Sequence, residues 1–224
     1  MKPLYLVLGG LAVVAVAVVA VLLFTGKNNP PGTDSAGNTI TPTTGGFTFH
    51  IDGPPQVLLS SPDTNPNKAA KVAKPAAAQA EKIIHDFYVQ AFLAPDQWSG
   101  GTYDTAFTNF SDGAKAEAMS QLDVMTAGSA ASDTFNGIKE SDASLKEKVL
   151  MDPHGAPYSV VAVVTFTASA DMKDGTAGTL TSQGQYILEK TSSGWKVTSF
   201  SVTRDDKGAK ATGSGTATPT AVAS

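Results

Sequence analysis

The spacing of hydrophobic positions changes three times along this chain. Residues 4–24 carry no charge and are almost entirely Val, Ala and Leu. A helix of that length rises roughly 30 Å, the thickness of a bilayer's hydrocarbon core, so the run predicts a transmembrane helix after a three-residue tail, 1–3. From Pro75 the period becomes helical. Ala80, Ile83, Ile84, Phe87 and Ala91 fall within one arc of roughly 100°, predicting an amphipathic helix with Pro75 in its first turn and its end near Ala94-Pro95. Tyr103, Phe107 and Phe110 predict a short second helix. Ser111 is placed to cap a third, carrying Ala114, Ala118, Leu122 and Met125, with Gly128 as its stop.

Beyond Gly128 the period falls to two. Strands are predicted over 145–151, 158–170, 179–189 and 195–203, with a weaker one near 135–139. In the longest, Val160, Ala162, Val164, Phe166 and Ala168 share one face. Asp174-Gly175 and Ser193-Gly194 mark hairpin turns, and Asp152-Pro153-His154-Gly155 a tight turn. Three helices followed by four or five antiparallel strands predict an α+β fold, the helices packed on one face of a curved sheet.

Residues 25–74 are rich in Pro, Gly, Thr, Ser and Asn and read as a flexible linker. Two islands interrupt it: Phe47-Thr48-Phe49-His50-Ile51, which alternates like a short strand able to dock on the domain or on a partner, and Val57-Leu58-Leu59. The tail 206–224 reads as disordered, which leaves one domain over 75–205.

Two further signals bear on the first segment. Ala15-Val16-Ala17 matches a signal-peptidase pattern, but cutting there would leave Val18–Phe24 as an apolar N-terminus, so the run predicts an uncleaved anchor. Lys2 lies before the run and Lys27 after it; the short N-terminus is placed in the cytoplasm and the domain outside the plasma membrane.

Composition removes several classes of function. A net charge of −4 with a single arginine, Arg204, disfavours nucleic acid. Without cysteine there is neither disulfide nor thiol chemistry. His50, His85 and His154 are isolated, so neither metal nor other cofactor is expected. Gly45-Gly46 and Gly100-Gly101 lack a phosphate-loop context, and no nucleophile elbow occurs. His85 and Asp86 project from the first helix on opposite sides of its apolar arc, towards solvent and away from each other. Tyr88, Trp98, Tyr103 and Phe107 are placed to line a ligand pocket, or to form ordinary core. Lys139, Glu140, Asp142, Lys146, Glu147 and Lys148 read as a solvated, mixed-sign strand surface. Lys68, Lys71 and Lys74 form a small basic cluster before the domain.

The order and lengths of these elements, and the closing strand Gly194-Trp195-Lys196-Val197-Thr198-Ser199-Phe200, resemble the NTF2-like, cone-shaped superfamily over roughly 75–205. With an N-terminal anchor added, the architecture resembles Mce-associated membrane proteins and VirB8/TcpC-type assembly proteins. The resemblance implies a non-enzymatic, extracytoplasmic domain, an accessory or scaffold of an envelope transport or secretion complex, with an envelope protein as partner. It also leaves open homodimerisation through the sheet, and the alternative of a membrane-tethered small-ligand-binding or SnoaL-like enzymatic cone.

Overall fold

The computed structural model describes residues 47–61, 64–208 and 215–218. The predicted span 4–24, the linker up to residue 46 and most of the tail lie outside the described residues. Among the described residues no helix is long and apolar enough to cross a membrane.

The fold is α+β, a layer of few helices on a mixed sheet of seven strands. Helix α1 spans Pro66–Tyr88 and so begins nine residues before the predicted start. Its signals are local: the Asn65 side chain accepts hydrogen bonds from the amides of Asn67 and Lys68, and Pro66 occupies the first turn. Pro75 therefore sits inside the helix, on its exposed side. A stripe of small residues sustains the helix through this proline: Ala69, Ala73, Ala76, Ala77 and Ala80 are all buried, and Ile84, Phe87 and Tyr88 continue the stripe. Alanine is weakly apolar, so this stripe was inconspicuous beside the lysines and the proline. A π-helical turn, Val89–Leu93, ends the run, and Ala94 is extended before Pro95 as predicted.

Helix α2 is one turn, Pro95–Trp98. The helix predicted over Tyr103, Phe107 and Phe110 is instead a succession of tight turns, closed by amide-to-carbonyl bonds Ala106→Tyr103, Thr108→Thr105 and Phe110→Phe107. Tyr103 itself takes a positive φ of 49°, which no helix accommodates. The third predicted helix is two: α3, Asp112–Ser120, capped by Ser111, and α4, Leu122–Met125. Gln121, with φ −123° and ψ 33°, breaks them. Gly128 follows at φ 102°, and α5 is Ala131–Thr134.

Four long strands form an antiparallel meander: β3 Phe135–Met151, β4 Pro157–Met172, β5 Ala177–Thr191 and β6 Gly194–Lys207. The two segments predicted near 135–139 and 145–151 are one continuous strand, β3. Bulges at 140–142, 150–151 and 187–188 shift the register and bend the sheet. On the helix-facing side, cross-strand ranks run Val149–Val160–Leu188–Val197, Glu147–Ala162–Tyr186–Phe200 and Ala143–Phe166–Ser182–Arg204.

The 47–61 segment belongs to this unit. Two short strands, β1 His50–Ile51 and β2 Gln56–Leu58, pair in parallel with β3, and Phe47 and Phe49 are buried in the core. Of the region read as linker, residues 47–61 and 64–74 are thus part of the folded structure. Gly215–Ala217 add strand β7 to the far edge, against β6. The turn at 152–155 is confirmed, with Asp152 Oδ1 accepting from the amides of His154 and Ala156.

Candidate functional site

The four aromatic candidates all lie in the interior, and they do not meet around one chamber. Tyr88 stacks on Phe92 with ring centroids 5.6 Å apart. Its hydroxyl is 3.2 Å from Ser182 Oγ and accepts from the Tyr186 hydroxyl at 3.1 Å. Phe107 packs on Phe110 at 5.2 Å and on Phe87 at 5.8 Å. Phe87 also touches Tyr88 at 5.2 Å, so these two candidates share a neighbour. Trp98 packs against Phe135 at 6.1 Å. The Tyr103 hydroxyl donates to the Gly128 carbonyl at 2.9 Å. Burial pushes the phenols of Tyr88 and Tyr103 up to about 12, and holds that of Tyr186 well above the ordinary phenol range. These hydroxyls are neutral hydrogen-bond donors at physiological pH, with no capacity to act as bases.

The surface hollows among the described residues include two open ones. One, of about 410 Å³, is lined by Phe107, Phe110, Ser111, Lys115 and Lys196 among others. Its cations are already engaged: Lys115 pairs with Asp104 at 3.1 Å, and Lys196 Nζ donates to the Thr108 carbonyl at 2.9 Å. The other, of about 380 Å³, lies by Ile138, Lys139, Ala170 and Asp171.

The chemistry inside the molecule comes from residues the sequence reading placed elsewhere. Glu147, read as solvated, is only 8 % exposed, and its Oε1 has no hydrogen-bond partner. It shares the inward side of β3 with Leu145, Val149 and Met151. Burial, and then the carboxylate of Glu81 on α1, push its carboxyl up to about 8. Glu81 is itself shifted upward by burial, an effect His85 opposes. Lys148 is equally buried, whereas Lys146 reaches Asp52 at 3.1 Å.

His85 does not point to solvent. It is 2 % exposed, and the Phe47 ring lies 4.6 Å from its own, tilted by 30°. Its Nε2 is 3.1 Å from the Phe47 carbonyl. A carbonyl only accepts, which assigns the proton to Nε2. Nδ1 faces Asp86 Oδ1 at 3.6 Å, so the pair read as diverging is adjacent, while Asp86 also holds Lys82 at 2.6 Å. The reversal has one cause: the 47–49 segment lies over the side of α1 that the helical pattern alone leaves bare.

Arg204 is a further buried charge. Its guanidinium grips Asp206 bidentately, Nε to Oδ1 at 2.9 Å and Nη2 to Oδ2 at 2.8 Å, with both side chains essentially inaccessible. Nη1 donates to the carbonyls of Asp123, at 2.7 Å, and Thr126, and Nη2 to that of Ala127. The Phe92 ring centroid lies 5.9 Å from the guanidinium carbon. Arg204 therefore ties β6 to the loop after α4.

The signal for both sites was the two-residue period. Glu147 alternates with Leu145 and Val149, and Arg204 and Asp206 continue the inward face set by Phe200 and Val202. Charge masked that pattern. Among the described residues no three His, Asp or Glu side chains are grouped to hold a metal ion. No family model, curated protein or solved structure matches this chain.

Proposed function

We propose that the chain is a single-pass, membrane-anchored accessory or scaffold protein. Its domain, an NTF2-like cone in this reading, is presented outside the plasma membrane to an envelope transport or secretion complex. The observation that carries the reading is the filled interior. Tyr88, Phe87, Phe92, Phe107 and Phe166 interlock between α1 and the sheet, so the working surface is the outer one. The apolar run 4–24 supports the anchored reading, and the long helix on a bent meander supports the cone reading. The test is photocrosslinking in native membranes from benzoylphenylalanine placed at exposed Tyr158 or Leu59. A reproducible adduct with one membrane or envelope protein is expected. Adducts only with a second copy of the chain would replace the scaffold reading with a homodimer.

A second reading, the membrane-tethered ligand-binding or SnoaL-like enzymatic cone, is favoured by one observation. Glu147 is a buried carboxyl with a free oxygen and a strongly raised pKa, an arrangement frequent at catalytic acids. A small molecule that co-purifies with the full chain in native mass spectrometry, and is lost in Glu147→Gln, would select it.

A further inference from the structure

The basic cluster at residues 68–74 changes meaning once its place in the fold is known. Lys68, Lys71 and Lys74 are not in a linker; they stand on the first three turns of α1 at i, i+3 and i+6, which keeps them within an arc of about 120°. All three are exposed, and none has an acidic partner among the described residues. Residues 64–80 hold these three lysines and no acid, in a chain whose net charge is −4.

Such a face is locally unfavourable. The N-terminal end of a helix dipole repels cations, and the first turn of α1 contains no acidic residue to offset them. Beside the lysines is Val72, 38 % exposed and one of three large apolar residues exposed among the described ones. The opposite side of the helix is the alanine stripe against the sheet. The lysine side is therefore an outward, basic surface, flanked beside Lys68 by the exposed apolar side chain of Val72.

The chain's own layout names the occupant. The described residues begin 23 positions after the apolar run 4–24 ends. Even fully extended, that length keeps Phe47 within about 80 Å of the run. We propose that the N-terminal half of α1 lies against an anionic lipid surface, with Lys68, Lys71 and Lys74 among the headgroups and Val72 at their boundary with the acyl chains. The proposal rests on the anchored reading for delivery to the membrane, but the docking chemistry is independent of it. Near a surface rich in anionic lipid each lysine favours the docked state roughly fivefold, and three together about a hundredfold.

The chain contains no native cysteine, so Val72→Cys in the full chain accepts a single environment-sensitive fluorophore. The labelled chain is reconstituted into vesicles of phosphatidylcholine alone, and of phosphatidylcholine with 30 % phosphatidylglycerol. A blue shift and loss of iodide quenching only with phosphatidylglycerol, reversed by 0.5 M salt, is expected. K68E/K71E/K74E should shift the docked fraction back about a hundredfold, with a thermal midpoint unchanged or raised, because acids suit a helix N-terminus. Identical spectra in both vesicle types overturn the proposal. So does a response to soluble heparin or RNA without one to phosphatidylglycerol, which would assign the face to a dissolved polyanion. Flotation with pure phosphatidylcholine reads the anchor separately: a chain that fails to float there, yet responds to phosphatidylglycerol, refutes the anchor and upholds the docking face.

Discussion

Arg204 and Glu147 are both charged side chains on the inward face of one sheet, and the fold treats them in opposite ways. Arg204 meets Asp206 in a bidentate pair and three backbone carbonyls at and just after α4, so its donors are spent on acceptors. Glu147 has a buried oxygen with no partner and a neighbouring carboxylate on α1. The first site keeps its charge by surrounding it. The second sheds its charge, because a proton costs less than an unpaired anion in a medium of low dielectric. Burial alone therefore does not say whether an ionisable group is a fastener or a liability; its partners do.

The largest effect should come from unpicking the fastener. Arg204→Met takes the bidentate guanidinium partner from the Asp206 carboxylate and a donor from the carbonyls of Asp123, Thr126 and Ala127, and should cost about 3–5 kcal/mol in urea unfolding. Arg204→Met with Asp206→Leu should recover most of that loss. If the double variant is as weak as the single one, the backbone carbonyls and not the ion pair dominate.

At Glu147 the effect depends on pH, with a definite sign. Its carboxyl titrates near 8 in the folded chain against an ordinary 4.5. Between those values the folded state holds a proton that the unfolded chain has released, so stability falls as pH rises from 4.5 to 8. Below 4.5 both states are protonated and the cost vanishes. Glu147→Gln should thus match the parent at pH 4 and exceed it by about 2–4 kcal/mol at pH 8.5. A constant difference across that range would show that Glu147 finds a partner in solution.

Smaller effects probe the tyrosine pair between these two sites. A Cβ at Gly184 would lie 2.5 Å from a ring carbon of Tyr186. Gly184→Ala should displace that ring, break its hydrogen bond to Tyr88 and cost about 1–3 kcal/mol in thermal unfolding. The smallest effect is expected at the start of α1. Asn65→Ala removes the acceptor for two amides, a loss of about 1 kcal/mol, with fraying of residues 66–74 visible by hydrogen exchange.

The strands were the most legible part of the chain. Val160, Ala162, Val164, Phe166 and Ala168 alternate with more polar neighbours, and the turns at Gly175 and Gly194 occur where their residues demand them. The helices were less so. The start of α1 was obscured because Asn65-Pro66 competes with Pro75 as a start signal, and five alanines offer little apolar surface each. The aromatic positions 103, 107 and 110 were recognisable as core, yet their spacing of four and three also suits consecutive turns. At the candidate site, Tyr88, Trp98, Tyr103 and Phe107 were identified as inward-facing, but their partners were not.

By itself the sequence determined the α+β class, the meander and its turns, the helix end at Ala94-Pro95 and the cap at Ser111, because each depends on residues close in the chain. It also carried the apolar run 4–24, which lies outside the described residues. Tertiary structure decided that the 47–61 segment pairs with β3, that His85 lies beneath Phe47, that Glu147 is enclosed beside Glu81, and that Arg204 closes on residues about 80 positions earlier. A local pattern shows which face of an element is apolar. Only the meeting of distant segments determines what covers that face, and so which charges are paired, neutralised or left to solvent.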